Sequence, residues 1–240
     1  MSQKRTKIYI NANAKDREFI YTGIEFYEFV HYLRNPIEHI LLLKSNYMGN
    51  GFANNFELVE GLDEVGLLAK EDVNSYGDFC FVDYKQADMV NQLTDEQIAE
   101  LLYLGHMYKP LTTPFFEKLD NQFAYLAHDD GFFCKLYCRH IEDFATLLAK
   151  KIQSCIEGKT KYSISEPDKL ISCCLLELAE NGLLIDFDEL TADDDHIFVN
   201  YFLVGKYTDM DRILNENERL KEKAIIQNRL AYTQCKWKFD

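Results

Sequence analysis

The stretch Phe123-Ala-Tyr-Leu-Ala-His-Asp-Asp-Gly131-Phe-Phe-Cys-Lys-Leu-Tyr-Cys138 decides the fold class. Phe123 to Ala127 and Phe132 to Tyr137 are rich in aromatic and apolar residues. They flank Asp130-Gly131, a dipeptide that adopts the positive φ of a tight hairpin turn at low cost. Two strands joined in this way run antiparallel. Working outward, the pattern predicts further strands at Lys7 to Ala12, Glu18 to Tyr21, Phe79 to Val82, Leu183 to Asp186 and His196 to Val204. The run Ile40-Leu-Leu-Leu43 is apolar throughout, as a central strand covered on both faces requires.

Helices are expected between these strands. From Ile24 to Leu33, Tyr27, Val30 and Leu33 or Arg34 recur at helical spacing, and Asn35-Pro36 ends the run. Thr94-Asp-Glu-Gln97 has the form of a capping box, with a helix continuing to about Met107. A third helix spans Ile141 to Ile156 with a stop at Gly158, and a fourth spans Leu170 to Ala179 before Asn181-Gly182. A last helix is expected from Asp209 to about Leu230, with Met210, Leu214, Leu220 or Lys221 and Ala224 along its apolar stripe. Helices and strands are interspersed without a clean alternation. This points to an α+β fold, a mixed sheet with flanking helices and a C-terminal helix-hairpin-helix segment, with α/β as the alternative. One globular domain over 1–240 accounts for the length. The alternative is an α+β domain at 1–158 and a small winged-helix-like subdomain at 167–240, joined by the polar run from Gly158 to Ser165.

With 47% hydrophobic residues, 17 Phe and 15 Tyr, the chain has ample surface to bury. A net charge of -14 argues against nucleic acid or anionic membrane as partner, because both are polyanions. No run approaches the roughly 20 apolar residues of a spanning helix, and the basic start lacks an apolar h-region, so a cytoplasmic location is expected. Cys80, Cys134, Cys138, Cys155, Cys173 and Cys174 lie in apolar or aromatic stretches and read as reduced, buried thiols. No cofactor or metal is expected.

Three places could carry function. The loop after Leu43 contains Asn46, Tyr47 and Asn50, at the kind of strand end where ligands bind in open sheets, but its glycines do not make a nucleotide fingerprint. His128 and Asp129 sit at the hairpin end, where an imidazole and a carboxylate could share a proton. From Leu170 to Gly205 there is no Lys or Arg but there are eight carboxylates, including Asp193, Asp194 and Asp195. The basic terminal helix, through Arg219, Lys221 and Lys223, could neutralise them, or a protein partner with a basic surface could. The leading expectation is a binding or regulatory protein acting through protein contacts. The alternative is a small-molecule enzyme whose site joins the Asn-rich loop to the His128 hairpin end.

The stretches Lys4-Arg-Thr-Lys-Ile-Tyr-Ile10, Phe26-Tyr-Glu-Phe-Val-His-Tyr32, Glu100-Leu-Leu-Tyr-Leu-Gly-His106 and Tyr125-Leu-Ala-His-Asp-Asp-Gly131 resemble a family of uncharacterised proteins from Firmicutes, over roughly residues 1 to 145. Some members of that family carry an oxalate:formate antiporter label, which implies a multi-helix membrane carrier. The longest uncharged apolar-rich run here, Ile197 to Gly205, is too short for such a helix, and the label is not carried over. The resemblance supplies no catalytic residues.

Overall fold

The computed structural model describes residues 6–43, 56–71, 73, 79–106, 108–128, 133–161, 163–165, 169–222 and 228–235. In chain order the strands are β1 (Lys7–Asn13), β2 (Glu18–Thr22), β3 (His39–Leu43), β4 (Phe56–Glu60), β5 (Cys80–Asp83), β6 (Phe123–His128), β7 (Phe133–Cys138), β8 (Ser163–Ile164), β9 (Leu183–Ala192), β10 (His196–Leu203) and β11 (Asn228–Cys235). The helices are α1 (Phe26–Tyr32), α2 (Leu62–Leu68), α3 (Ala87–Val90), α4 (Asp95–Gly105), α5 (Ile141–Lys159), α6 (Lys169–Ala179) and α7 (Met210–Glu222). The fold is α+β and mostly sheet. Strand pairing is antiparallel at each register described below, where a mixed sheet was expected.

The chain divides into two compact units. A mid-chain unit comprises Lys15–Ile20 and Glu25–Ile141, and a terminal unit comprises Met1–Ala14, Tyr21–Ile24 and Glu142–Asp240.

In the mid-chain unit the strand order is β4-β3-β5-β6-β7. Side chains alternate across a strand, so each face collects one set. On one face Phe81 and Tyr125 are register partners, and their rings stack with centroids 5.1 Å apart. Phe26 and Phe29 of α1 close over them, with Phe26 meeting Phe79, Phe81 and Tyr125 edge-on. The buried stripe of α1 is therefore Phe26, Phe29 and Leu33, whereas Tyr27 is exposed and stacks on His31. On the other face Leu41, Leu43, Val82, Ala124 and Leu126 pack with Leu101 and Leu104 of α4. That contact is close enough that a Cβ on Gly105 would lie 3.1 Å from the Leu43 Cβ. The expected capping box is present at the start of α4: the Thr94 hydroxyl accepts from the Gln97 amide, and the Gln97 side chain accepts from the Thr94 amide. The run Ile40 to Leu43 is an interior strand, bonded to β4 on one side and β5 on the other.

In the terminal unit the order is β1-β9-β10-β11-β8. Ile8, Tyr9 and Ile10 of β1 and Leu183 to Ile185 of β9 are fully buried, the pattern of strands covered on both faces. α6 packs on β1 and β9 through Leu175, Leu176 and Ala179. At the end of α6 the chain must turn tightly. Gly182 has φ 73°, and a Cβ there would fall 1.8 Å from the Gly205 carbonyl oxygen, so only glycine fits.

Three expectations are corrected in this unit. α5 runs one residue past the expected stop at Gly158, to Lys159, since a helix end frays over a residue or two. The last helix ends at Glu222, and Asn228–Cys235 is a strand paired with β10. Its period is two: Leu230 is half-buried and Tyr232 buried, while Arg229, Ala231 and Thr233 are exposed. The buried residues of α7 are Ile213 and Asn217, which the expected stripe did not include; Met210, Leu214, Leu220 and Lys221 are half-buried, and Ala224 lies outside the described residues. Among the described residues no helix is long and apolar enough to cross a membrane.

Candidate functional site

The acidic segment from Leu170 to Gly205 is used in two different ways along the β9–β10 hairpin. At the root, register places Lys7 of β1, Asp186 of β9 and Asn200 of β10 in one row across the sheet. Asp186 is 1% exposed, so its carboxylate needs compensation. It has two lysines: Lys221 of α7 with Nζ 2.9 Å from Oδ2, and Lys7 with Nζ 3.4 Å from Oδ1. Its Oδ1 also accepts the Asp188 amide at 2.9 Å. Two residues on, and therefore on the same face, Asp188 pairs with Lys7 and with Lys159 of α5, the latter at 3.2 Å. Burial pushes the Asp188 carboxyl up, but bonds from Lys7, Thr6 and Lys159 outweigh it and hold the group well below the usual carboxylate range. Burial likewise works against the Lys221 ammonium, and the Asp186 carboxylate outweighs it and raises Lys221.

The far end of the hairpin is different. β9 is buried from Leu183 to Phe187 and exposed at Asp188, Glu189, Thr191 and Ala192, and Asp193, Asp194 and Asp195 are exposed in the turn. The turn is built by Asp193, whose Oδ1 accepts the amides of Asp195 at 2.9 Å and His196 at 2.7 Å. Those amides lower its carboxyl. His196 lies 3.5 Å from the same oxygen, and its ring is 6.1 Å from that of half-buried Phe198. Arg219, one of the cations expected to answer this charge, pairs with Glu216 one turn back along α7. Lys221 is committed to Asp186, and Lys223 lies outside the described residues. No Lys or Arg among the described residues pairs with Asp194 or Asp195.

The other expected site is only partly described. Asn46, Tyr47, Asn50 and Asp129 lie outside the described residues, as does the Asp130-Gly131 turn. His128 ends β6, opposite Phe133 of β7, so the antiparallel hairpin itself is present. Glu28 accepts the Glu25 amide at the start of α1, and the His31 Nδ1 lies 2.7 Å from the Tyr27 carbonyl oxygen.

Cys80, Cys134 and Cys138 are buried as expected, but Cys173 and Cys174 are exposed. The buried face of the second half of α6 passes through Leu175, Leu176 and Ala179, which turns both thiols to solvent. Among the described residues no group of three or more His, Cys, Asp or Glu side chains is placed to hold a metal ion. Sequence reasoning missed a second buried aspartate. Asp83, at the end of β5, accepts the amides of Gln122 at 3.0 Å and Phe123 at 2.6 Å. Burial pushes its carboxyl up to about 6 against the pull of those amides and of Arg139.

Comparison of the chain with protein-family models, with curated proteins and with solved structures finds no match.

Proposed function

We propose that this is a cytoplasmic binding protein that acts through protein contacts, and that the far end of the β9–β10 hairpin receives a partner with a basic surface. One observation carries this reading: among the described residues Lys7, Lys159 and Lys221 are spent at the root, on Asp186 and Asp188, and Arg219 on Glu216, while Asp194 and Asp195 stay exposed without a Lys or Arg pair. Like charges held together in a turn repel one another and attract an opposite surface. The half-buried Phe198 and His196 beside them provide an apolar and aromatic border of the kind found at protein interfaces. A nucleic acid or an anionic membrane would be repelled by the same carboxylates.

The test replaces Asp193, Asp194 and Asp195 by Asn. The side-chain carbonyl oxygen that the first substitution leaves in place still accepts the two turn amides, so the melting temperature is expected to stay nearly unchanged. Association with proteins co-purifying from native lysate is expected to weaken, and the difference between wild type and variant to shrink as salt is raised. Recovery of the same proteins at the same yield with and without the substitutions would overturn the reading.

A further inference from the structure

A cavity of about 380 Å³ lies wholly within the mid-chain unit, and its lining runs against the charge of the chain. It is lined by Lys15, Asp16 and Arg17 from the β1–β2 turn, by Lys109, Pro110 and Thr112 to Phe115, and by Tyr137 of β7. In a protein of net charge -14, three of these lining residues are cations and one is a carboxylate. That carboxylate, Asp16, is bonded by Lys109 at 3.1 Å. Lys15 and Arg17 have no ion pair among the described residues. Just outside the lining, Glu18 accepts the Tyr137 hydroxyl at 2.6 Å, and Asp120 pairs with Lys85 and, at 3.9 Å, with Arg139. These four outer charges cancel among themselves, and the lining itself has an excess of two positive charges.

Two further observations show that the cavity is built. Arg17 has φ 54°, a left-handed conformation that suits glycine and costs an arginine about 1 kcal/mol or more. The strained residue is the one that supplies a guanidinium. It is held there by its carbonyl, which accepts the Cys138 amide at 3.0 Å, and by its own Nη1, which donates to the Arg139 carbonyl at 3.0 Å. The opposite wall is fixed from beneath. Asn121, fully buried, accepts the Phe116 amide at 2.7 Å and donates to the Pro114 and Phe123 carbonyls at 3.0 Å. Arg139 donates to the Asn121 carbonyl at 2.8 Å and lies 5.2 Å from the centre of the Phe115 ring. A wall held in this way meets a ligand with little ordering left to do.

We infer that this cavity binds the phosphomonoester of a small organic molecule. A phosphomonoester carries about -1.5 to -2 charges at pH 7, which matches the excess of two, and it presents three acceptor oxygens. The donors suit it: a guanidinium fork, an ammonium, and the hydroxyls of Thr112 and Thr113. Pro110, Pro114 and Phe115 leave an apolar wall for the organic part, and the volume is that of a small-ligand site.

Titration calorimetry of the full chain at low ionic strength tests this with three probes: phenyl phosphate, benzoate and phenol. Phenyl phosphate is expected to bind, benzoate at least about tenfold more weakly, and phenol not measurably. Arg17→Gly relieves the left-handed strain while removing the guanidinium, so its melting temperature is expected to equal or exceed that of wild type while phenyl phosphate affinity falls about tenfold. Lys15→Gln, at an exposed turn position, is expected to lose affinity similarly and leaves the backbone unchanged, so it decides the matter if the first variant alters the turn. Absence of phenyl phosphate binding, binding unchanged in Lys15→Gln, or benzoate binding as tightly as phenyl phosphate would each overturn the inference.

Discussion

Among the described residues each unit buries one aspartate in its sheet, and the two are kept by different means. Asp186 in the terminal unit is 1% exposed and is held by the ammonium groups of Lys7 and Lys221. Asp83 in the mid-chain unit is 7% exposed and is held mainly by backbone amides, with Arg139 acting only at a distance. Ion pairing favours the charged form directly. Amides also favour it, but here they are outweighed by desolvation. The comparison teaches that a sheet can bury a carboxylate either against formal positive charge or mainly against backbone dipoles.

The largest effect should come from removing the cations of the terminal unit. Lys7→Met with Lys221→Met keeps much of the aliphatic packing, strips Asp186 of both its ammonium partners and leaves Asp188 with Lys159 and the Thr6 hydroxyl. A loss of about 4 kcal/mol is expected in urea unfolding. Arg219→Met, whose exposed guanidinium pairs with Glu216, should leave the urea unfolding midpoint nearly unchanged. Equal losses in the two variants would break the contrast between root and surface.

The second effect has opposite sign in the two units. The Asp83 carboxyl sits near 6 when folded and near 4 in an unfolded chain, so the folded state holds its proton more tightly. Its contribution is therefore most favourable below about pH 4 and declines by about 3 kcal/mol as pH rises to about 6 and beyond. Asp188 is depressed when folded. Its contribution is present above the unfolded value and is lost as pH falls. Hydrogen exchange corrected for intrinsic rates, compared at about pH 6.5, 4.5 and 2.5, should show the Phe123 amide relatively better protected at 4.5 than at 6.5, and the Phe187 amide losing protection only between 4.5 and 2.5. Asp83→Asn should flatten the first trend and leave the second.

The smallest effect is a matter of rate. The cysteines of the mid-chain unit, Cys80, Cys134 and Cys138, are buried, whereas Cys173 and Cys174 of the terminal unit are exposed. A thiol reagent should modify Cys173 and Cys174 within the fast phase on native protein and reach Cys80, Cys134 and Cys138 only on denaturation. Peptide mapping after brief labelling checks the assignment, and early modification of Cys80 would show that the sheet opens locally.

Local chemistry is the legible part of this fold. The box at Thr94 and Gln97, the hairpin around Asp130-Gly131 and the stop at Asn181-Gly182 each depend on residues a few positions apart. The α+β class follows from their order. β11 is hidden in the sequence because Arg219, Lys221 and Lys223 continue a helical charge pattern toward it, although Leu230 and Tyr232 already alternate. The exposure of Cys173 and Cys174 depends on which face of α6 meets the sheet, and an apolar helix does not declare that face. Half of the acidic reading is visible, since the run of carboxylates is in the sequence; which of them are spent at the root depends on Lys7, 181 positions from Asp188. The cavity is invisible for the same reason. Asp16 and Lys109 are 93 positions apart, and nothing local to either marks the other.

That separation between Lys7 and Asp188 also orders events on the ribosome. β1, with Ile8, Tyr9 and Ile10 fully buried in the finished protein, leaves the exit tunnel long before the strand that pairs with its Lys7–Ile10 edge has been translated. At about 5 to 20 residues per second the wait for β9 is roughly ten to forty seconds, while the residues of the mid-chain unit, which end at Ile141, have already emerged. The nascent chain therefore carries an apolar strand with an open edge until β9 follows, and such an edge is a surface for a chaperone to shield.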